Sequence, residues 1–141
     1  MEHWLPRARK SFPELEELIN RNQDGPLGLW SDLFVELEMA YDTPPINEDL
    51  IARIYEYAAW CFKQAETGDI GTDLSSATAV GLIESIPLNK LVSADLYRWM
   101  SKETFDGCEK LFRYHLSDQE YDNFSSEFLR KKSNYSEHSP L

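Results

Sequence analysis

The chain has 141 residues, 25 of them acidic and 14 basic, which gives a formal net charge of −11. This length is typical of one domain with a true core, and an apolar content of 42% excludes a disordered chain. Binding to nucleic acid or to an anionic membrane surface needs clustered Lys and Arg side chains. The acidic balance therefore argues against both kinds of partner.

Two features of the sequence bear on the cellular compartment. The first twelve residues lack the apolar run of a secretory signal, and no stretch reaches the roughly 18–20 apolar residues of a membrane span. Cys61 and Cys108 lie far apart in the sequence, so we expect two reduced thiols, with a disulfide as the alternative. The prediction is a cytoplasmic protein without a membrane partner.

We expect one helical domain over residues 1–141, with an N-terminal arm over 1–10 and a polar, flexible tail over 133–141. Gly and Pro residues concentrate at a few positions, where they mark breaks between elements. The breaks lie at residues 23–28, 43–45, 67–73 and 86–89.

The first two segments of the chain have helical patterns. Ser11 and Glu14 match a capping box, so a helix is expected to begin there. The segment 27–42 carries apolar residues at spacings of three and four, which is the period of a helix. That helix should end at Thr43, because a residue that precedes a proline is driven out of the α region.

Residues 48–66 should form the central helix of the fold. Asn47 is a suitable N-cap, and the apolar side chains after it cover a wide arc, as expected of a helix with neighbours on two sides. Asp73 or Ser75 opens the next helix, which should end at Pro87. Its small side chains would let a neighbouring helix approach closely; they are Ala77, Ala79 and Gly81.

The last third of the chain is helical as well. Ser93 should start a short helical turn, and Ser101 should cap a helix that runs to Leu116. Ser117 and Glu120 match a capping box that opens the last helix. We therefore expect an all-α bundle of six or seven helices. The short loops favour antiparallel neighbours, for which HEAT-like pairs are one arrangement.

Cys108 and His115 lie seven residues apart in one expected helix, on roughly the same face and about 10 Å apart along its axis. A nucleophilic Cys–His pair needs contact at about 3 Å, so the two cannot form a direct dyad. Cys108 continues an apolar stripe and should lie in the core. His115 suits the negative end of a helix dipole, with a functional role as the alternative.

The sequence contains no pattern typical of a metal site, a phosphate loop or an activated serine. The histidines are far apart, and the spacings CxxC, HExxH, GxGxxG, GxxxxGK[ST] and GxSxG are absent. We therefore predict no catalytic residue, no metal and no cofactor.

The charge is unevenly distributed. Residues 11–60 carry eleven acids and two bases, which form either a solvated surface or an electrostatic surface for a basic partner. Glu36 and Glu38 are the candidate binding residues of that surface. Trp60 lies on the polar side of its expected helix, so it is either a partly exposed binding residue or a residue covered by the N-terminal arm.

The segments DLIARIYEYAAWCFKQ (49–64) and DLYRWMSKETFDGCEKLFRYHLSDQEYDNF (95–124) carry two motifs, Ile-Tyr-x-Tyr-Ala-x-Trp-Cys and Phe-Arg-Tyr-His-Leu-Ser. Over residues 28–124 the chain resembles a family of bacterial all-helical proteins that have no assigned activity. The resemblance implies a compact helical fold and a bacterial cytoplasm. It also suggests a family surface, with core packing as the alternative, at Tyr57, Trp60, Arg113, Tyr114 and His115.

The predicted function is non-enzymatic binding of a basic protein partner through an acidic helical face. Small bacterial immunity proteins that neutralise a cationic toxin have this character. Two alternatives stay open: an enzyme whose site surrounds His115, with Arg113 or an acid beside it, and a structural subunit of a homo-oligomer. A deep pocket that contains His115 and a carboxylate within hydrogen-bonding reach would favour the enzyme.

Overall fold

A computed structural model of the chain describes residues 4–69 and 73–141, which fold into an all-α domain, as predicted. It is 73% helical, and no strand occurs in these two ranges. The α-helices are α1 (Trp4–Ser11), α2 (Glu16–Arg21), α3 (Pro26–Asp42), α4 (Glu48–Phe62), α5 (Leu74–Gly81), α6 (Lys90–Asp95), α7 (Lys102–Gly107), α8 (Glu109–Arg113) and α9 (Asp118–Lys132). Three 3₁₀ segments connect them, at Pro13–Leu15, Ile83–Leu88 and Leu96–Arg98.

Several predicted helix caps are confirmed. The Asn47 side chain accepts a hydrogen bond from the Leu50 backbone N–H, and Ser101 caps α7 in the same manner. Asp73, the first of the two alternatives, caps α5. The capping box that opens α9 is complete, because the side chains of Ser117 and Glu120 each accept a backbone N–H of the other residue.

Two predicted helix starts are wrong. Ser11 is the last residue of α1, and the 3₁₀ turn after it has no side-chain cap. Ser93 lies inside α6, which begins after Asn89. The Asn89 side chain accepts hydrogen bonds from the backbone N–H groups of Leu91 and Val92, both at 3.0 Å. It therefore satisfies two N–H groups of the first turn that have no acceptor within the helix.

The described residues contain nine α-helices where six or seven were expected. One additional helix is α1, which lies where the sequence predicted an arm, and two of the expected helices change geometry along their length. The segment after Asp73 changes from an α-helix to a 3₁₀ helix at Ile83. The segment after Ser101 is divided at Cys108, whose ψ angle of 9° departs from helical geometry. HEAT-like pairing stays a prediction.

The two ends of the described chain are packed against the domain, at the positions for which the sequence predicted an arm and a tail. Trp4 and Ala8 of α1 are buried, and α1 contacts α4. Near the other end, Ser139 is 8% exposed and its hydroxyl donates to the Arg98 carbonyl, while the Leu141 N–H donates to the Trp99 carbonyl at 3.0 Å. Both ends thus cover core side chains.

α4 is the central helix, as its wide apolar arc predicted. It contacts α1, α3 and α5, and its side chains Ile51, Ile54 and Cys61 have no exposed surface. Tyr55 is also fully buried and stacks on Trp99, with ring centroids 5.4 Å apart and planes 2° apart. Aliphatic and aromatic packing on two sides of α4 therefore holds the N-terminal and C-terminal halves of the chain together.

α3 and α5 approach very closely at Gly81. A Cβ atom added there would lie 2.4 Å from the Cβ of Trp30, which is closer than real side chains allow. Gly81 thus has the packing role that the sequence indicated for the small residues of α5. This contact buries one side of α3 and leaves the opposite side of the helix facing solvent.

Candidate partner-binding surface

Tyr57 and Trp60 lie at the contact between α1 and α4. The Arg7 guanidinium carbon is 5.1 Å from the centre of the Trp60 ring, so Trp60 rests under α1, which is the second of its predicted placements. Tyr57 is 2% exposed and packs against the rings of Phe12 and Trp30. Tyr57 therefore belongs to the core, which is the alternative to the family surface that the resemblance suggested.

Arg113 is held in place by its neighbours within the C-terminal part of the fold. Its guanidinium nitrogens lie 3.0 Å from a carboxylate oxygen of Glu109 and 3.0 Å from one of Asp118. The guanidinium carbon is also 4.0 Å from the centre of the Tyr121 ring. A side chain with these contacts stabilises the junction of α8 and α9, and it offers a partner little unbonded charge.

Tyr114 and His115 follow α8 on the surface. Tyr114 is 72% exposed, and its ring meets the His115 ring edge-on at 4.8 Å. Glu84 Oε1 lies 3.9 Å from His115 Nε2, which is outside hydrogen-bonding distance. The His115 side chain is 41% exposed. This geometry does not provide the enclosed acid–base pair that the enzyme alternative requires.

Glu36 and Glu38 project from different sides of α3, since two residues along a helix turn through about 200°. Glu38 accepts a hydrogen bond of 2.9 Å from the Asn89 side chain and thereby links α3 to the start of α6. Glu36 forms no ion pair with any residue in the described ranges. Of the two predicted residues, Glu36 is therefore the one whose charge is available to a partner.

The solvent-facing side of α3 carries exposed apolar side chains. Leu27, Val35 and Met39 are 44%, 49% and 50% exposed, and Val35 and Met39 lie on the side of the helix opposite the buried Trp30. Ile46, in the loop after α3, is 49% exposed. We call Leu27, Val35, Met39 and Ile46 together the α3 outer face.

Carboxylates flank this apolar face, and α3 contributes no base to neutralise them. The helix carries Asp32, Glu36, Glu38 and Asp42, and no Lys or Arg occurs anywhere between residues 22 and 52. Asp32 lies 3.7 Å from the Arg21 guanidinium. Like Glu36, Asp42 has no ion-pair partner among the residues of the structure's two ranges. The face thus combines exposed apolar area with unpaired negative charge.

A hollow of about 330 Å³ lies beside the α3 outer face, between the last turns of α3 and the first turn of α4. Met39, Pro45 and Leu50 supply apolar walls, and the acidic residue Glu36 is also part of the lining. The loop Thr43–Asn47 closes one side of the hollow. The arrangement can hold a long side chain that is apolar along its stem and cationic at its end.

Sequence reasoning identified Glu36 but missed Val35, Met39 and Ile46. The buried residues of α3 recur every three or four positions, and Val35 and Met39 are apolar residues that do not belong to this series. Apolar residues on the other side of a predicted amphipathic helix are the signal that could have revealed them. The hollow itself could not be found from the sequence, because it forms only where the loop folds back between α3 and α4.

The two cysteines are free thiols in the interior. Burial raises the pKa of Cys61 to about 11, and burial also raises the pKa of Cys108. Both thiols are therefore largely protonated near neutral pH and are poor nucleophiles. This agrees with the core position that the sequence predicted for Cys108.

Residues 4–69 and 73–141 are the part of the chain that the structure describes. Within them, no three His, Cys, Asp or Glu side chains converge as metal ligands would. In the same residues, no helix is both long enough and apolar enough to cross a bilayer. His3, one of the three histidines, lies outside this part of the chain.

Comparison of the chain with known proteins found no matching family model, no matching curated protein and no matching solved structure. The similarity to bacterial all-helical proteins therefore stays a prediction that rests on the two motifs.

Proposed function

We propose that the protein is a cytoplasmic, non-enzymatic binding module that contacts a basic protein through the α3 outer face and the acids beside it. It would act as a small immunity or inhibitor protein acts on a cationic toxin. The observation that carries the proposal is the exposure of Val35 and Met39 next to the unpaired Glu36 and Asp42. Exposed apolar area of this kind is typical of interaction sites.

The two features have separate roles in binding. Burial of Leu27, Val35 and Met39 would supply affinity, because the removal of apolar surface from water is favourable. The carboxylates would steer a basic partner toward the face and raise the association rate, and this effect weakens as salt increases. A partner with a basic rim around an apolar centre fits both features.

The homo-oligomer alternative fits this surface less well. In a two-fold symmetric contact the same patch meets itself, so the acids of one α3 would lie against the same acids of the partner copy. With no Lys or Arg in α3, such a contact would bring like charges together without compensation. Charge complementarity therefore favours a different, basic protein.

The proposal can be tested by affinity capture from native cells with the full chain as bait, at about 0.1 M and about 1 M salt. The Debye length falls between them from about 10 Å to about 3 Å. We expect a basic protein to be retained at low salt and largely lost at high salt. The double variant Val35→Ser/Met39→Ser should reduce its capture at least about tenfold, the loss expected when central apolar contacts are removed.

The matched control is Leu129→Ser, which replaces a 38% exposed apolar side chain on α9. It should retain the partner at the wild-type level. Equal retention at both salt concentrations would exclude an electrostatic interface. Equal retention by wild type and the double variant would exclude the α3 outer face.

A further inference from the structure

The hollow beside Glu36 has chemistry that selects one kind of side chain. Its walls are apolar at Met39, Pro45 and Leu50, whereas Glu36, also part of its lining, has no ion-pair partner in the described chain. A long basic side chain places its methylene stem on apolar surface and its charged end near an anion or water. The lining of this hollow matches both parts of such a side chain.

The end of α3 adds a second, independent preference for a cation. The last carbonyl groups of a helix carry partial negative charge, which Lys or Arg residues in the last turn normally offset. The last turn of α3 contains no basic residue, and Thr43 and Asn47 donate their backbone N–H groups only to the carbonyls of Met39 and Ala40. The helix end beside the hollow therefore still favours a positive group.

We propose that this hollow receives an arginine side chain of the basic partner. The aliphatic part of the arginine lies against Met39 and Pro45, and its guanidinium faces Glu36 and the end of α3. The planar guanidinium suits a carboxylate better than an ammonium does, because it can present two parallel N–H donors. This inference rests on the proposed function and specifies the contact that would anchor the partner.

The size of the hollow agrees with one side chain as its occupant. Its volume of about 330 Å³ lies at the lower end of the range of small-molecule pockets, and it is bounded on one side by the loop Thr43–Asn47. It is too small to take up a whole helix of a partner, which would instead lie across the α3 outer face. The arginine would project from that partner into the hollow.

The test uses the full chain labelled with ¹⁵N and two small probes, N-acetyl-arginine amide and the neutral isostere N-acetyl-citrulline amide. We expect the arginine probe to shift the backbone signals of residues 36, 39, 43 and 47–50 with a dissociation constant on the order of millimolar, as suits so small a ligand. The citrulline probe should cause shifts at least about fivefold smaller, because it lacks the charge that pairs with Glu36.

Glu36→Gln should abolish the shifts around the hollow, and its spectrum should otherwise match the wild type. The control Glu17→Gln removes an exposed acid from α2 and should leave the shifts unchanged. Equal shifts with both probes, or shifts spread over all acidic surfaces, would overturn the proposal. Self-association that Glu36→Gln abolishes would also overturn it, because a second copy would then occupy the site.

The two proposals fail in different ways. If the arginine probe does not bind but capture of the basic partner depends on Val35 and Met39, the hollow is not the anchor and the binding function stands. If the probe binds at the hollow but no basic partner depends on the α3 outer face, the protein-binding function is wrong.

Discussion

At the scale of single residues, Asp95 joins three parts of the fold. Its carboxylate accepts hydrogen bonds from the Tyr41 hydroxyl at 2.6 Å and from the Trp99 indole N–H at 3.1 Å, and it pairs with Arg98 at 3.0 Å. Burial, together with nearby Tyr55 and Asp95, raises the pKa of Tyr41, so its hydroxyl stays protonated and donates. The carboxylate thereby fixes α3 to the segment that carries Trp99.

We expect Asp95→Ala to lower the free energy of unfolding by about 2–3 kcal/mol, because it leaves buried donors without an acceptor. Urea unfolding followed by tryptophan fluorescence measures the loss. Asp122→Ala, which removes an exposed acid from α9, should change stability by no more than about 0.5 kcal/mol. A loss for Asp95→Ala as small as that of the control would contradict the bridging role.

The two thiols should react at different rates. Cys108 lines a shallow hollow with Ala59 and Phe62, whereas Cys61 has no exposed surface. Since burial raises the pKa of both thiols, we expect slow modification by Ellman's reagent near neutral pH, with Cys108 modified first and Cys61 only after unfolding. Cys108→Ser should remove the earlier phase. Modification of Cys61 at the rate of an unhindered thiol would refute its burial.

At the scale of elements, the contact between α3 and α5 depends on Gly81. Gly81→Ala would force Trp30 and the two helices apart, so we expect it to destabilise the protein by about 1–3 kcal/mol or more. Gly107→Ala is a matched control in α7, where an added Cβ would meet nothing within 4 Å. The control should be neutral or stabilise by up to about 1 kcal/mol. Thermal unfolding of both variants measures the contrast, and equal melting temperatures would contradict the close approach.

Helix starts could be predicted from the sequence where the cap is a local hydrogen bond, as at Asn47, Ser101 and Ser117. The prediction failed at Ser11, because burial of Trp4 and Ala8 on α4 extends α1 through that residue. Tertiary contacts of this kind are not encoded in a four-residue pattern. Local propensity therefore decided the caps, and packing between elements decided the remaining helix ends.

The candidate surface was only partly predictable for the same reason. The charge of Glu36 is evident from the sequence, but its availability depends on the absence of a base nearby in space. Tyr57 and Trp60 have the composition of an interface, yet α1 covers them. Elements that are distant in the sequence decide which side of a helix remains exposed. Here α1 covers one side of α4, and α5 covers one side of α3.

At the scale of the whole molecule, two ion pairs join distant segments. Arg53 contacts Glu14 at 2.5 Å, and Arg98 contacts Glu48 at 2.6 Å. The hydrogen bond from each arginine lowers the pKa of its carboxyl group below the ordinary value of 4.5. The stabilisation from these pairs is complete above that value and is lost as the pH falls through the lower pKa of the folded protein.

We therefore expect the free energy of unfolding to decline as the pH is lowered from 7 to about 3. The double variant Glu14→Gln/Glu48→Gln should show a smaller decline, since the two linked protonations are absent. Glu16→Gln, which removes an acid with no ion pair among the described residues, should follow the wild type. Urea titrations at a series of pH values test this. Parallel curves for all three proteins would exclude these pairs as the cause.

The absence of a side chain at Gly81 has a consequence for recognition. Because Trp30 of α3 packs directly against Gly81 of α5, the close contact between the two helices favours one orientation of α3 and of its solvent-facing residues. A ligand that docks there meets a preorganised scaffold, so little backbone entropy is lost on association. Discrimination among competing ligands would then depend on their own shape and on how rigid they are before binding.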